Sequence, residues 1–143
     1  MSLPDPDAPL SGGCHCGAIR FTVRLAGGWS EARRCNCSMC AMRGAVTVTA
    51  PLAGLEITHG ADRIATYRFN TGVAEHHFCP DCGIYTHHRR RSNPDEFGVN
   101  VACLDGVSPF DFAAVPVSDG AHHVSDTGVE RWAGMLRFEA AAR

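Results

Sequence analysis

The sequence predicts an all-β domain of short, twisted strands with cysteine turns at their ends. Three observations predict it. Apolar and polar residues alternate with a period of two in several short runs, as they do in half-buried strands. No segment carries long helical periodicity. Glycine, proline and asparagine punctuate the runs at short intervals, as turns require.

The chain has 143 residues, a length that suits one domain with a real core. Hydrophobic residues make up 45%, which argues against a disordered chain. A formal charge of −2 and a pI near 6.4 give no electrostatic case for nucleic acid or an anionic membrane. No apolar run approaches the roughly 20 residues of a membrane-spanning helix. Residues 1–10 carry Asp5, Asp7 and three prolines, without the basic and apolar regions of a signal peptide. They read as a flexible leader to a single domain over 11–143, and the expected location is cytoplasmic.

Ser11-Gly12-Gly13 turns the chain into Cys14-His15-Cys16-Gly17. Ile19, Phe21, Val23 and Leu25 then share one face of a strand, which Gly27-Gly28 ends. After Cys35-Asn36-Cys37-Ser38-Met39-Cys40 and Gly44, a strand with Val46 and Val48 inward and Thr47 and Thr49 outward is expected. Leu55 to Thr58 and Ile64 to Phe69 read as further strands. Val73 to Phe78 leads into Cys79-Pro80-Asp81-Cys82-Gly83, a knuckle whose turn aims both sulfurs at one point. Ile84 to His88 continues as a strand, and Phe97, Val99, Val101 and Cys103 alternate cleanly in another. Residues 118–128 read as polar loop, and Trp132 to Phe138 fits either a helix or a strand.

Seven of the eight cysteines fall in tight groups, which favours metal over disulfides in a reducing compartment. Soft thiolate ligands suit Zn²⁺. Seven thiols exceed one tetrahedral site and fall one short of two. The natural split puts Cys14, Cys16, Cys79 and Cys82 in a closed structural site and leaves Cys35, Cys37 and Cys40 with an open position. The other split, triplet plus one knuckle cysteine, is not forbidden by the spacing.

The segments Gly13–Phe21, Cys35–Cys40 and Phe78–Gly83 resemble, in order, the three signature segments of the glutathione-dependent formaldehyde-activating enzyme family, which includes centromere protein V-like members. The stretch ending Cys103-Leu104-Asp105-Gly106 also resembles a recurring segment of that family. The resemblance implies a twisted all-β fold with two zinc ions. One is structural, on Cys14, Cys16, Cys79 and Cys82. The other is labile and catalytic, on Cys35, Cys37 and Cys40. The implied reaction makes and breaks a carbon–sulfur bond on a small thiol adduct, such as S-hydroxymethylglutathione, with glutathione as partner. A non-catalytic zinc-binding module is the alternative.

An open zinc site would hold a substrate sulfur as thiolate. His15, His76, His77, His87 and His88 are candidates to deliver a proton to the new hydroxyl. Three thiolates on Zn²⁺ leave a net charge of −1, which weakens the Lewis acid unless neighbours offset it. Arg33 and Arg34 flank the triplet. The run Arg89 to Arg91 reads either as forks for substrate carboxylates or as a solvated face. His76 and His77 are expected to be partly exposed. Cys103 reads as a buried strand residue rather than a fourth ligand.

Overall fold

The computed structural model describes residues 2–142. Its elements run β1 (Leu10–Gly13), β2 (Arg20–Val23), β3 (Arg34–Cys35), α1 (Ser38–Arg43), β4 (Thr47–Pro51) and β5 (Leu55–His59). They continue with β6 (Ala65–Tyr67), β7 (Glu75–Phe78), β8 (Tyr85–Arg89), β9 (Glu96–Asn100), β10 (Ala114–Ser118), α2 (Val124–Thr127) and β11 (Trp132–Arg137). The strands form three sheets in the orders β1-β2-β5, β11-β10-β3 and β4-β9-β8-β7-β6. The all-β expectation holds. Among the described residues no helix is long and apolar enough to cross a membrane.

Alternation decides which faces meet. Phe21 and Val23 from β2 and Val48, Ala50 and Val99 from β4 and β9 are essentially inaccessible and build the main core. Ahead of β1, Leu3 packs on this core and the Trp29 indole donates to the Pro4 carbonyl at 2.9 Å. A second buried cluster joins Cys14, Ile19 and Cys79, with Ile57 and Ile64 alongside.

Several expectations are corrected. Thr47 and Thr49 do not face solvent. Arg90 lies over them and donates to Thr49 Oγ1 at 2.6 Å and Thr47 Oγ1 at 3.4 Å, so both faces of β4 are covered. The strand through Phe97 ends at Asn100, whose side chain accepts from the Ala102 N–H at 3.1 Å and tightens Val101–Cys103 into a 3₁₀ turn. The ambiguous Trp132 segment is a strand, because β10 offers it an antiparallel edge.

His76 is not a surface residue, whereas His77 is partly exposed as expected. Antiparallel pairing sets His76 opposite His88 and His77 opposite His87, so the imidazoles stack with centroids 5.2 and 4.6 Å apart. His76 is buried and His77 largely so. Burial pushes His87 down to about 3. The ring is therefore neutral in the fold and protonated in the unfolded chain below its ordinary value of about 6.5. The unfolded state then binds the extra proton, so stability falls as pH drops below that value. His87→Gln should flatten this slope. In zinc-saturated denaturant titrations below about pH 6, wild type should lose roughly 1.4 kcal/mol more per pH unit than the variant. Parallel slopes would refute the assignment.

Candidate metal centres

Two similar turns build the first centre. Cys14 receives the Gly17 N–H on its carbonyl at 3.3 Å and donates its own N–H to Ile19 O at 3.0 Å. Cys79 receives the Gly83 N–H at 2.8 Å and donates to Ile84 O at 3.0 Å. Gly17 and Gly83 occupy the left-handed region, with φ of 79° and 77°, where other residues are strained. Each turn curls its sulfurs inward, and the sheets bring the two turns together across 63 residues of chain.

The sulfurs of Cys14, Cys16, Cys79 and Cys82 lie within 4.8 Å of one another. Cys16 Sγ is 3.7 Å from both Cys14 Sγ and Cys79 Sγ. A tetrahedral ion with Zn–S bonds near 2.3 Å spaces its sulfurs about 3.8 Å apart, so the cluster fits zinc.

The second centre sits where β3 meets α1. Cys37 is the N-cap of α1, and its sulfur accepts the Cys40 N–H at 3.4 Å. Cys35 Sγ accepts the Cys37 N–H at 3.4 Å. Gly44, with φ of 69°, stops the helix after six residues. No helix is expected from the sequence between Cys35 and Gly44. Met39-Cys40-Ala41-Met42-Arg43 before Gly44 was the available signal, since these residues favour a helix and glycine ends one.

The sulfurs of Cys35, Cys37 and Cys40 again lie within 4.8 Å of one another, and no fourth His, Cys, Asp or Glu joins them among the described residues. Hydrogen bonds from Cys37 and Cys40 hold the Cys35 thiol well below its ordinary range. The Cys35 and Cys37 sulfurs, together with burial, push Cys40 far up. The three thiols alone thus accommodate one negative charge, and a divalent cation is what lets all three ionise together. Both clusters could hold metal ions. Cys103 stands apart, buried, with its thiol donating to Tyr85 O at 3.3 Å; burial pushes it up to about 12.

A cavity of about 480 Å³ opens over the three-cysteine cluster. His76 and His88 line it, whereas His77 and His87 pack against Phe97 on the other side of the sheet. His15 does not reach the cavity lining. Burial and the neighbouring Arg43 hold His76 down to about 4. His88 is lowered for the same reasons, and its Nδ1 is bonded to the Tyr85 hydroxyl.

The arginine run divides among internal partners. Arg89 donates to Pro94 O, Arg90 pairs with Glu96 at 3.0 Å, and Arg91 forks onto Asp126. The lining nonetheless holds six arginines against three acids on a chain whose net charge is −2, so positive charge is concentrated there. Arg33, Arg34 and Arg131 have no carboxylate partner among the described residues.

The far wall comes from residues read as polar loop. Asn36 donates to Asp119 Oδ1 at 3.2 Å and accepts the Ala121 N–H at 2.9 Å, drawing this segment onto the cluster. His123 also lines the wall. The useful signal was Gly120, because only glycine allows so close an approach. A Cβ there would sit 2.3 Å from Cys35 Sγ and 2.9 Å from Cys37 Cβ.

Fold and clusters together define a β domain with a closed four-thiol centre and an open three-thiol centre under a cationic cavity. The model of the glutathione-dependent formaldehyde-activating enzyme family matches residues 9–116, and the chain belongs to that family. A crystal structure of a Rhodobacter sphaeroides protein is similar, with a TM-score of 0.74 and 53% identity, over 76% of this chain and 99% of that one. A Halomonas elongata protein, provisionally named a glutathione-dependent formaldehyde-activating enzyme, is 33% identical over 82 residues. That match covers 51% of each chain, so this chain spans about half the length of the curated relative. The wall carrying Gly120 and His123 follows the end of the family match.

Gly120→Ala should loosen metal at the open cluster alone. Competition with a chromophoric chelator should show roughly tenfold weaker retention of one ion and an unchanged second. Equal weakening of both would contradict the placement of Gly120 against Cys35.

Proposed function

We propose that the chain is a zinc-dependent carbon–sulfur lyase or synthase acting on a small thiol adduct such as S-hydroxymethylglutathione. The observation that carries this reading is the inequality of the two clusters. One has four converging thiols, while the other has three and faces a cavity. Zinc held by Cys35, Cys37 and Cys40 would supply a soft cation with a position free for a substrate sulfur.

The remaining work falls to the chain's own residues. Arg33, Arg34 and Arg131 line the cavity without carboxylate partners and suit the two carboxylates of a glutathione-like thiol. In the addition direction a sulfur–carbon bond forms, the carbonyl π bond opens, and the proton given up by the thiol ends on the new hydroxyl. The rings of His76 and His88 are neutral at working pH, so neither serves as an imidazolium acid. His76 accepts from Arg43 at Nδ1 and so keeps an N–H on Nε2, while His88 is positioned at Nδ1 by the Tyr85 hydroxyl, which also donates to Gly98 O. The family match supports this reading, as does the name of the Halomonas relative.

Exchange spectroscopy by NMR should show formaldehyde and glutathione interconverting with their adduct faster with the protein than in buffer. Cys37→Ser should remove the acceleration. Serine is itself a good N-cap, so α1 should persist and the loss would report the missing ligand. A chelator should strip one zinc well before the other. No acceleration with any small thiol would defeat the proposal.

A further inference from the structure

Arg43 is a cation whose surroundings supply no carboxylate. Its guanidinium carbon lies 3.5 Å from the centroid of the Tyr85 ring. One terminal nitrogen donates to His76 Nδ1 at 3.0 Å, and the other to Cys40 Sγ at 3.5 Å. Its Nε is buried without a hydrogen-bond partner among the described residues. Of the other arginines in the cavity lining, Arg90 has Glu96 and Arg91 has Asp126, whereas Arg33, Arg34 and Arg131 also lack a carboxylate among the described residues. Among those residues only Arg43 buries a guanidinium nitrogen with no partner.

Tyr85 and His76 do not provide the missing charge. Burial pushes Tyr85 up and His76 down, so both are neutral. Arginine cannot accept a hydrogen bond, so His76 accepts at Nδ1 and carries its proton on Nε2, which is also buried and unpartnered. The one group in contact with Arg43 that can bear negative charge is the Cys40 sulfur. A partly desolvated guanidinium without a counter-ion is costly. Three thiolates around a divalent ion carry −1, the charge this environment lacks.

We propose that Arg43 is the counter-ion of the three-cysteine metal centre, a positioning residue that draws charge from Cys40 and sets how firmly the centre keeps its ion. The inference rests on the metal reading of that cluster. Geometry supports the pairing, because the helix that carries Cys40 also carries Arg43 three residues later, on the same face. Arginine stacks on the Tyr85 ring while its fork reaches both the imidazole and the sulfur, a combination lysine cannot reproduce.

The test uses full-length protein loaded with zinc or cobalt. Arg43→Met should weaken retention of one metal tenfold or more, read by chelator competition, and leave the other unchanged. In the cobalt protein, the thiolate-to-metal charge-transfer band of the weaker site should move to lower energy, because a sulfur relieved of its donor gives electrons more readily. Arg43→Lys should recover part of the affinity. Two metals held as firmly as in wild type, with an unmoved band, would overturn the role of Arg43. A lysine variant as weak as the methionine variant would overturn it too, even if methionine also disturbs the four-cysteine site. Wild-type protein that takes up a single metal would instead refute the metal reading of the triplet.

Discussion

Four sulfur atoms meet between two turns that are 63 residues apart in the chain, and the rest of the architecture depends on that meeting. One turn precedes β2 and the other joins β7 to β8, so their junction ties the β1-β2-β5 sheet to the five-stranded one. Apolar burial beneath it is small, with Cys14, Ile19 and Cys79 at its centre. A metal at such a junction contributes on the order of 10 kcal/mol, comparable to the whole stability of an ordinary domain. Once that edge is fixed, β8 lies where His88, and Arg90 just beyond it, can line a wall of the cavity.

The second cluster obeys a different rule. Its three sulfurs span six residues, so no distant part of the chain must fold to assemble them. A two-residue strand and one short helix suffice, and the helix uses Cys37 as its own cap. A site built locally constrains little else and can gain or lose an ion without unravelling the sheets. An ion at the closed cluster would not be lost so easily, because the four sulfurs come from both ends of a long loop. The difference between a structural and an exchangeable metal on this reading is therefore one of chain topology as much as of ligand count.

Features that depend on sequence period were legible. Alternation placed Ile19, Phe21, Val23 and Val99 inside, and cysteine spacing grouped the thiols. Features that depend on what covers a face were not. Thr47 and Thr49 read as outward because nothing local reveals that Arg90 will lie across them. His76 read as partly exposed because strand register, not composition, stacks it on His88. The arginine run read as one unit, yet alternation along β8 and the following turn sends each guanidinium to a separate partner. Polar side chains are ambiguous in this way: their burial depends on partners distant in sequence.

The cavity joins two parts of the chain that the family match separates. Cys35, Cys37 and Cys40 lie within residues 9–116, whereas Asp119, Gly120 and His123 lie beyond them. The two parts are joined by sheet pairing, with β11 on β10 and the end of β10 on β3, and by the Asn36 amide to Asp119 and Ala121 and the fork of Arg91 onto Asp126. Between β10 and β11 the wall is a connection, residues 119–131, that can change in sequence without touching the closed cluster. On the proposed reading, the thiolate centre and Arg43 set the chemistry. The later segment brings His123 and the unpaired Arg131 to the rim, opposite Arg33 and Arg34 beside the cluster. Substrate choice in this chain would thus be shared between the cluster's own flank and a later segment that also presses Gly120 against Cys35.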